Sequence, residues 1–361
     1  MRIGLVSFWF TRGQAFVMRA IRGIYRDAGH ETFVLARPDK LQKRFRDDGI
    51  WAEEGVEVAS DNAIPKDEYL AWAARHRLDV VLCYQNEQFD EVAALRARGV
   101  VTLGAFVWEK FAAEDVARAR AAYDVVWAQH AAEHRRYGEL GLLAPRVRWG
   151  CWPELLGREV PRRAPDAPVV FHYPAGYLEI RRAIGPTVKA FVKARAPNAR
   201  LVVKSTKPVP DDQRVRHPHV RYEHGDVERE AYLEDLRASD VVLSNTRWEG
   251  LGLVLYEAIA MGLPIVCPDF PPMNEHVRHG HTGLVVPCST RGRAPSGIPA
   301  ADARVRDLAR AIRTLSERRV VEQYGARTLE MRDQDYDWER TRADFLWLLA
   351  YGVGRRQSSK A

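Results

Sequence analysis

The sequence predicts an α/β protein with two doubly wound domains, and three observations support this fold class. Short apolar runs alternate with helix-like segments along both halves of the chain, which is the pattern of parallel strands covered by helices. The length of 361 residues suits two domains of ordinary size. A composition that is 46% hydrophobic and 29% charged is sufficient for two buried cores.

The first half opens with a strand, a helix and a second strand. Residues 1–7 form the first apolar run, a helix-like segment extends to Arg26, and residues 32–36 form the next run. Further strands are predicted at residues 79–84, 100–104 and 124–128. Because ligands of doubly wound sheets bind beyond the carboxyl ends of the strands, the residues that follow each strand are candidate site residues.

The second half repeats this architecture. Strands are predicted at residues 168–173, 199–204 and 240–244. A helix at 186–196 begins with Pro186, which is favourable because the first helical N–H has no partner inside the helix. Residues 289–303, which contain two glycines and two prolines, are predicted to form an extended surface loop.

The domain boundary is predicted from a run of prolines and arginines in the middle of the chain, which is typical of an exposed connector. We place a first domain at residues 1–163 and a second at 164–335. The segment 336–352 is strongly amphipathic and predicts a helix. Residues 353–361 are polar and basic, so we expect a disordered tail.

The net charge of +7 comes entirely from the second half. Residues 1–160 contain 23 Lys+Arg and 23 Asp+Glu, whereas residues 161–361 contain 32 and 25. This excess is compatible with an anionic ligand, and also with a solvated arginine-rich surface. Nucleic acid is not an expected partner, because no known binding module is present. No apolar segment reaches the roughly 20 residues of a membrane span, and an export signal is not apparent, so we expect a cytoplasmic protein.

The four cysteines, Cys83, Cys151, Cys267 and Cys288, are widely spaced and include no paired C-x-x-C pattern. This spacing indicates neither a disulfide framework nor a zinc site, and we interpret the cysteines as buried thiols. No metal site is expected.

The most informative stretch contains two carboxylates in different surroundings. From Gly250 to Pro268 the only charged side chain is Glu257, in a run apolar enough to be a buried helix and then a buried strand. A buried carboxylate requires partners, because desolvating it costs several kcal/mol. Glu249 lies just before a Gly-Leu-Gly turn, in the loop from which this helix begins. Since a helix start favours phosphate, the stretch suits a sugar joined to a nucleoside through phosphates.

The same residues carry a resemblance to a known family. Glu249 and Glu257 have seven residues between them and are followed by Ala-x-Ala-x-Gly-x-Pro, Asn-Glu-His-Val at 274–277 and Gly-His-Thr-Gly-Leu-Val-Val at 280–286. This run closely resembles the retaining nucleotide-sugar glycosyltransferases of family 4 (glycosyl transferases group 1). The resemblance implies the GT-B fold, in which two Rossmann-like doubly wound domains face a central cleft and a final helix packs back on the first domain.

The resemblance also assigns the donor side. Arg181 and Arg182 stand where the family has Arg-Lys-Gly, which implies that they hold the pyrophosphate; exposed arginines at a helix start would oppose the helix dipole without an anion. Lys204, at the end of its strand, could contact the leaving phosphate or the sugar, or could be a surface lysine. The predicted catalytic residues are Glu249, Arg182 and Lys204. The predicted donor-binding residues are Gly13, Arg181, Arg182, Lys204, Glu249, Gly250, Leu251, Gly252, Leu253 and Glu257.

The acceptor side departs from the family. Relatives usually have two adjacent glycines in the first loop, whereas this chain has Gly13 alone, which could lie near the donor phosphates or be a turn glycine. Relatives often have a histidine near the place of Trp108 and Glu109. Trp108 could stack on a sugar ring or could be a core tryptophan. We assign Arg12, Trp108 and Glu109 to the acceptor side and leave the acceptor class open.

The resemblance implies metal-independent sugar transfer from a nucleoside diphosphate sugar to an acceptor hydroxyl, with retained configuration and no cofactor besides the donor. Glu257 would accept the ribose hydroxyls, and Glu249 would hold the transferred sugar or stabilise positive charge at its anomeric carbon. Two alternatives remain: a GT-B nucleotide-sugar epimerase or hydrolase, and a nucleotide-sugar-binding protein without catalysis. The expected acceptor is a soluble saccharide, a natural product or a protein. Peripheral membrane contact is not favoured, because residues 40–46 form the only basic amphipathic run of the first domain.

Overall fold

The structure is a computed structural model that describes residues 1–10, 12–39, 53–177 and 180–358. It comprises two compact units, Met1–Trp149 with Glu339–Ala361 and Gly150–Trp338. The basic run at 40–46 lies outside the described residues. None of the described helices combines the length and apolar character of a membrane span.

The first unit contains a parallel sheet with helices on its connections. Its elements up to Trp149 are β1 (Arg2–Phe8), α1 (Gly13–Asp27), β2 (Glu31–Arg37), β3 (Val56–Val58), α2 (Lys66–Arg75), β4 (Val80–Tyr84), α3 (Phe89–Ala97), β5 (Val101–Ala105), α4 (Val116–Ala122), β6 (Val125–Val126) and α5 (Ala131–Glu139). The strand order is β3-β2-β1-β4-β5-β6. Both β4 and β5 are buried at every position, as expected for strands covered on both faces.

The second unit repeats this topology. Its elements are β7 (Val169–Gly176), α6 (Ile184–Ala194), β8 (Ala199–Ser205), β9 (Val220–His224), α7 (Arg229–Arg237), β10 (Val241–Leu243), α8 (Leu253–Met261), β11 (Ile265–Pro268), β12 (Gly283–Val286), β13 (Cys288–Arg293), β14 (Pro299–Ala303), α9 (Val305–Thr314) and α10 (Arg318–Asp335). The parallel sheet has the order β12-β11-β10-β7-β8-β9. Counted from the start of each unit, both sheets follow the doubly wound order 3-2-1-4-5-6.

An aspartate just before a strand connects neighbouring strands in both units. Asp124 accepts from the Thr102 N–H (3.0 Å) before β6, and Asp240 accepts from the Val170 N–H (2.8 Å) before β10. Asp240 also receives two hydrogen bonds from Arg318 (2.5 and 3.2 Å). This buried network holds the start of β10, the strand that leads into the loop with Glu249.

The connector between the units differs from the prediction. The structure divides the chain after Trp149, not after residue 163, because the proline-containing segment that follows packs on the second unit. Val160 N–H donates to Met261 O (3.0 Å), and Glu159 accepts from Arg332 (2.6 Å). The content of proline and arginine indicated an exposed segment, but it did not indicate the unit on which this segment packs.

The end of the chain is helical, which differs from the prediction of a disordered tail at residues 353–361. A long helix, α11 (Trp338–Ser358), continues through most of the tail that we expected to be disordered, and residues 359–361 lie outside the described part. Arg356 explains the extension, because its guanidinium donates to Arg96 O and lies 3.6 Å from the Asp124 carboxylate. Arg356 thus anchors the end of the helix within the first unit.

The segment predicted to be an extended surface loop at 289–303 is instead an antiparallel hairpin formed by β13 and β14. Gly292 pairs with Ala300 and Arg293 pairs with Pro299 in its register. Pro295 and Gly297 lie in the turn, whereas Gly292 and Pro299 belong to the strands, so the composition of the whole segment indicated a loop.

Candidate active site

Two connections leave the second sheet where its strand order reverses. β7 and β10 lie side by side, yet the chain continues from β7 to β8 and from β10 to β11, on opposite sides of the pair. A doubly wound sheet opens a crevice beyond the carboxyl ends of its strands at such a point. Arg181 and Arg182 follow β7 and Glu249 follows β10, so the topology brings these three predicted residues together.

Backbone contacts join the two connections. Arg247 N–H donates to Arg181 O (2.8 Å), and Arg182 forms an isolated antiparallel bridge with Thr246. The Thr246 hydroxyl donates to Trp248 O (2.8 Å). The arginines therefore reach Glu249 from a backbone that is fixed against the loop of β10.

Glu249 is the centre of a charged cluster. One guanidinium N–H of Arg181 donates to Glu249 Oε1, and Arg182 Nη1 lies 3.3 Å from Oε2. Burial by itself raises the pKa of the Glu249 carboxyl, but the two arginines and the Gly250 N–H more than offset this effect, so the pKa lies below its usual value. The carboxylate is therefore ionised at neutral pH.

The loop then turns into α8 at Gly252. This residue has φ +76°, and an added Cβ would lie 2.9 Å from Leu255 Cδ1 and 3.2 Å from Glu249 Cγ. Glycine is thus required both by the left-handed backbone and by the space beside Glu249. No side chain of the described structure caps α8 at Gly252, and its first turn carries no acidic residue. An anion at this helix start would meet the positive end of the helix dipole.

Glu257 is buried in α8, as predicted, and its partners come from α7. Arg229 Nη1 donates to Oε1 and the Tyr232 hydroxyl donates to Oε2, both at 2.6 Å. The Arg229 guanidinium also lies near Glu154 (3.3 Å) and over the Trp152 ring (5.8 Å). Burial and then the charge of Glu257 raise the pKa of Tyr232, which therefore stays protonated as a donor.

Sequence reasoning required a partner for Glu257 but did not identify Arg229 and Tyr232. They occupy positions i and i+3 at the start of α7, and residues with this spacing project from the same helix face. This spacing was the feature of the sequence that could have indicated a shared partner for Arg229 and Tyr232.

Lys204 belongs to a different cluster from Glu249. Its ammonium group lies 2.5 Å from Asp235 and 3.2 Å from Glu223. Along β8 it shares a face with Arg200, whereas Leu201 and Val203 point into the core on the other face. The structure therefore does not bring Lys204 together with the two arginines, and its predicted contact with the leaving phosphate stays a prediction.

His172 lies near Lys204, and its buried imidazole makes the stability of the protein depend on pH. Burial lowers the pKa of its imidazole from 6.5 to about 4, with smaller effects from Asp235, Lys204 and Glu223. The unfolded chain therefore takes up a proton as the pH falls below 6.5, while the folded protein does not, so stability decreases with falling pH. We expect a loss of about 2 kcal/mol between about pH 7 and about pH 5 from this residue.

Urea unfolding of the wild type and His172→Phe at both pH values measures this effect. The variant should show a smaller loss of stability on acidification, whereas the exposed-residue control His281→Gln should behave as the wild type. An unchanged pH dependence in His172→Phe would contradict the assignment.

In the first unit the predicted residues lie at the ends of β1 and β5. Gly13 is the first residue of α1, and the Arg12 guanidinium stacks over Phe8 (5.6 Å) and Phe10 (5.2 Å). Trp108 and Glu109 are buried. Their proposed contact with an acceptor stays a prediction.

Two contacts of this unit were not predicted from the sequence, although Gln85 and Trp108 were expected near the site as residues that follow strand ends. The Trp108 ring packs edge-on against His130, with centroids 4.8 Å apart. Gln14 donates to Gln85, which joins the residues that follow β1 and β4 at the point where this sheet reverses. Their position after strand ends was the only signal.

Comparison with known proteins identifies a family match within the second unit. Residues 175–317 match the family model described as Glycosyl transferases group 1, and this segment contains Arg181, Arg182, Glu249 and Glu257. The predicted class of enzyme, a glycosyltransferase, is confirmed by this match. No curated protein sequence matches the chain.

Solved structures confirm the predicted GT-B fold. The chain is similar to sucrose-phosphate synthase from Thermosynechococcus elongatus (TM-score 0.70, 17% identity, 97% of this chain and 98% of that chain). It is similar to Anabaena HepE in complex with UDP and glucose (0.73, 15%, 97% and 100%). A third match is a glycosyltransferase from Rickettsia africae (0.73, 11%, 98% and 98%). At these identities the likeness concerns the fold.

Proposed function

We propose that this protein is a retaining, metal-independent glycosyltransferase of family 4 that transfers a sugar from a nucleoside diphosphate sugar to an acceptor hydroxyl. The observation that carries the proposal is the cluster of Arg181, Arg182 and Glu249 beside the start of α8. The match to group 1 glycosyltransferases over residues 175–317 supports it. HepE, which has the same fold, is described in complex with UDP-glucose, so UDP-sugars are the first donors to test.

The proposed reaction breaks the bond between the anomeric carbon and the phosphate oxygen, and negative charge develops on the departing diphosphate. Arg181 and Arg182 would stabilise this charge together with the amides at the start of α8. A guanidinium has five N–H donors, so each arginine can hold Glu249 and a phosphate at once. These cations can perform the task that a metal ion performs in other transferases, and the reaction requires no cofactor besides the donor.

Glu249 and Glu257 have separate roles in this proposal. Glu249, ionised and held by the two arginines, would accept hydroxyls of the transferred sugar or stabilise positive charge at the anomeric carbon. Glu257 would accept the ribose hydroxyls. Each carboxylate oxygen has two lone pairs, so after the hydrogen bonds from Arg229 and Tyr232 each oxygen can still accept one more hydrogen bond.

The acceptor oxygen would form the new bond on the face that the phosphate leaves, which retains the configuration. Its proton would pass to the departing phosphate, so no dedicated general base is assigned. Arg12, Trp108 and Glu109 stay the proposed acceptor-side residues, and the acceptor would be a soluble saccharide, a natural product or a protein.

The proposal is tested by measuring nucleoside diphosphate release from UDP-, GDP- and ADP-sugars with and without a panel of acceptors. Release that requires an acceptor and persists in EDTA, with a product of the donor's anomeric configuration by NMR, is the expected result. Release with water alone would favour a hydrolase. Donor binding without release across the panel would favour a binding protein, and an inverted product would contradict retention.

A further inference from the structure

The β13–β14 hairpin is fastened to the loop that carries Glu249. Arg247 Nε donates to Asp302 Oδ1 (2.9 Å), and Arg247 Nη2 lies 3.4 Å from Asp302 Oδ2. The backbone joins the same elements, since Ala301 N–H donates to Arg247 O (2.8 Å). One residue of the loop is thus held by the hairpin through both its side chain and its backbone.

The hairpin is shaped to receive this guanidinium. Gly292 in β13 lies so close to it that an added Cβ would be 2.6 Å from Arg247 Nη2 and 3.3 Å from the Ala300 Cβ. A larger residue at 292 would push the guanidinium away from Asp302. The hairpin therefore fits the Arg247 guanidinium closely.

The same arginine continues the contact to the donor side of the proposed site. The backbone N–H of Arg247 donates to Arg181 O (2.8 Å). Backbone hydrogen bonds therefore connect Ala301 to Arg247 and Arg247 to Arg181. Glu249 follows two residues later in the same loop. Residues 244–252 contain no helix or strand, so the contacts of this loop with neighbouring elements help to determine where Glu249 lies.

We propose that Arg247 and Asp302 are positioning residues, through which the β13–β14 hairpin fixes Arg181 and Glu249 in the geometry that catalysis requires. This inference rests on the function proposed above. Neither residue contacts the reacting atoms in this scheme. Catalytic groups must be held to within about 0.5 Å, and a displacement of about 1 Å can cost about a hundredfold in rate. A partly exposed ion pair contributes little to stability, so its loss should affect turnover more than folding.

The test compares Asp302→Asn with Asp335→Asn. The control removes the aspartate of the Arg278–Asp335 pair (2.6 Å), which lies in the same unit and does not join the loop that carries Glu249. Asp335 is as exposed as Asp302 (47% and 45%). We expect Asp302→Asn to lower kcat about tenfold with a smaller change in the donor KM, and the two variants to have similar thermal midpoints. Asp302→Glu should recover part of the lost kcat.

Hydrogen exchange read by mass spectrometry provides a readout that does not depend on activity. Amides at 246–252 and at Ala301 should exchange faster in Asp302→Asn and at the wild-type rate in Asp335→Asn. Unchanged exchange, or a kcat within twofold of the wild type, would overturn the inference. A wild type without turnover would contradict the proposed function, and the exchange data alone would then decide whether the hairpin positions the loop.

Discussion

Glu257→Ala is expected to lower the free energy of unfolding by about 3–5 kcal/mol. The substitution leaves the Arg229 charge, whose side chain is 17% exposed, without its closest carboxylate, and removes the acceptor of the buried Tyr232 hydroxyl. Breaking a buried ion pair from one side costs far more than the pair contributes, because the remaining charge stays largely desolvated. Glu154, 3.3 Å from Arg229 and itself 38% exposed, offsets only part of this cost. Urea denaturation at an unchanged m value measures the loss.

Tyr232→Phe is the matched control for Glu257→Ala. It removes one hydrogen bond to the same carboxylate and retains the ion pair with Arg229, so it should cost about 1 kcal/mol. Similar losses in the two variants, or a loss below about 1 kcal/mol in Glu257→Ala, would contradict a structural role for the ion pair. Because the alanine variant is expected to be unstable, the ribose contact is better tested with Glu257→Gln, which keeps the volume of the side chain.

Arg182→Ala is expected to lower kcat by about a hundredfold, because one donor to the developing negative charge of the leaving phosphate is lost. The fold should persist, since Arg181 continues to hold Glu249. Steady-state kinetics with saturating donor measures the effect. Arg182→Lys keeps the charge but loses the planar fork, so partial recovery is expected.

Lys204→Met tests the rival assignment, in which Lys204 and not Arg182 stabilises the leaving phosphate. Its ammonium group is held by Glu223 and Asp235, so we expect kcat to remain within a fewfold of the wild type. The reverse result, with a large loss in Lys204→Met and near-normal turnover in Arg182→Ala, would assign the leaving phosphate to Lys204 as the sequence suggested.

The doubly wound topology could be predicted because it depends on local patterns. Continuous apolar runs such as β4 and β5 indicate parallel strands buried on both faces, and the order of elements then restricts the sheet to few arrangements. Arg181 and Arg182 were predicted from the resemblance to the group 1 glycosyltransferases, and Glu249 from its place before a glycine turn at a helix start. All three follow strand ends, which is where ligands of doubly wound sheets bind.

Features that depend on contacts between distant elements could not be predicted in the same way. The desolvation cost showed that Glu257 needs a partner, but Arg229 comes from another helix and is 28 residues away in the sequence. Lys204 does lie at the end of β8, as predicted. The alternation of side chains along β8, however, directs its ammonium group toward α7, where it contacts Asp235. The Arg247–Asp302 contact depends on a hairpin whose turn residues suggested a loop.

The central claim is that the cluster of Arg181, Arg182 and Glu249 binds the diphosphate of the donor. Isothermal titration of UDP, GDP and ADP into the wild type and Arg182→Ala tests it most directly. We expect one nucleoside diphosphate to bind the wild type at one site, with an affinity at least tenfold weaker in the variant, because a charge-assisted bond to phosphate contributes about 1.5–3 kcal/mol. Equal affinity in the two proteins would contradict the account.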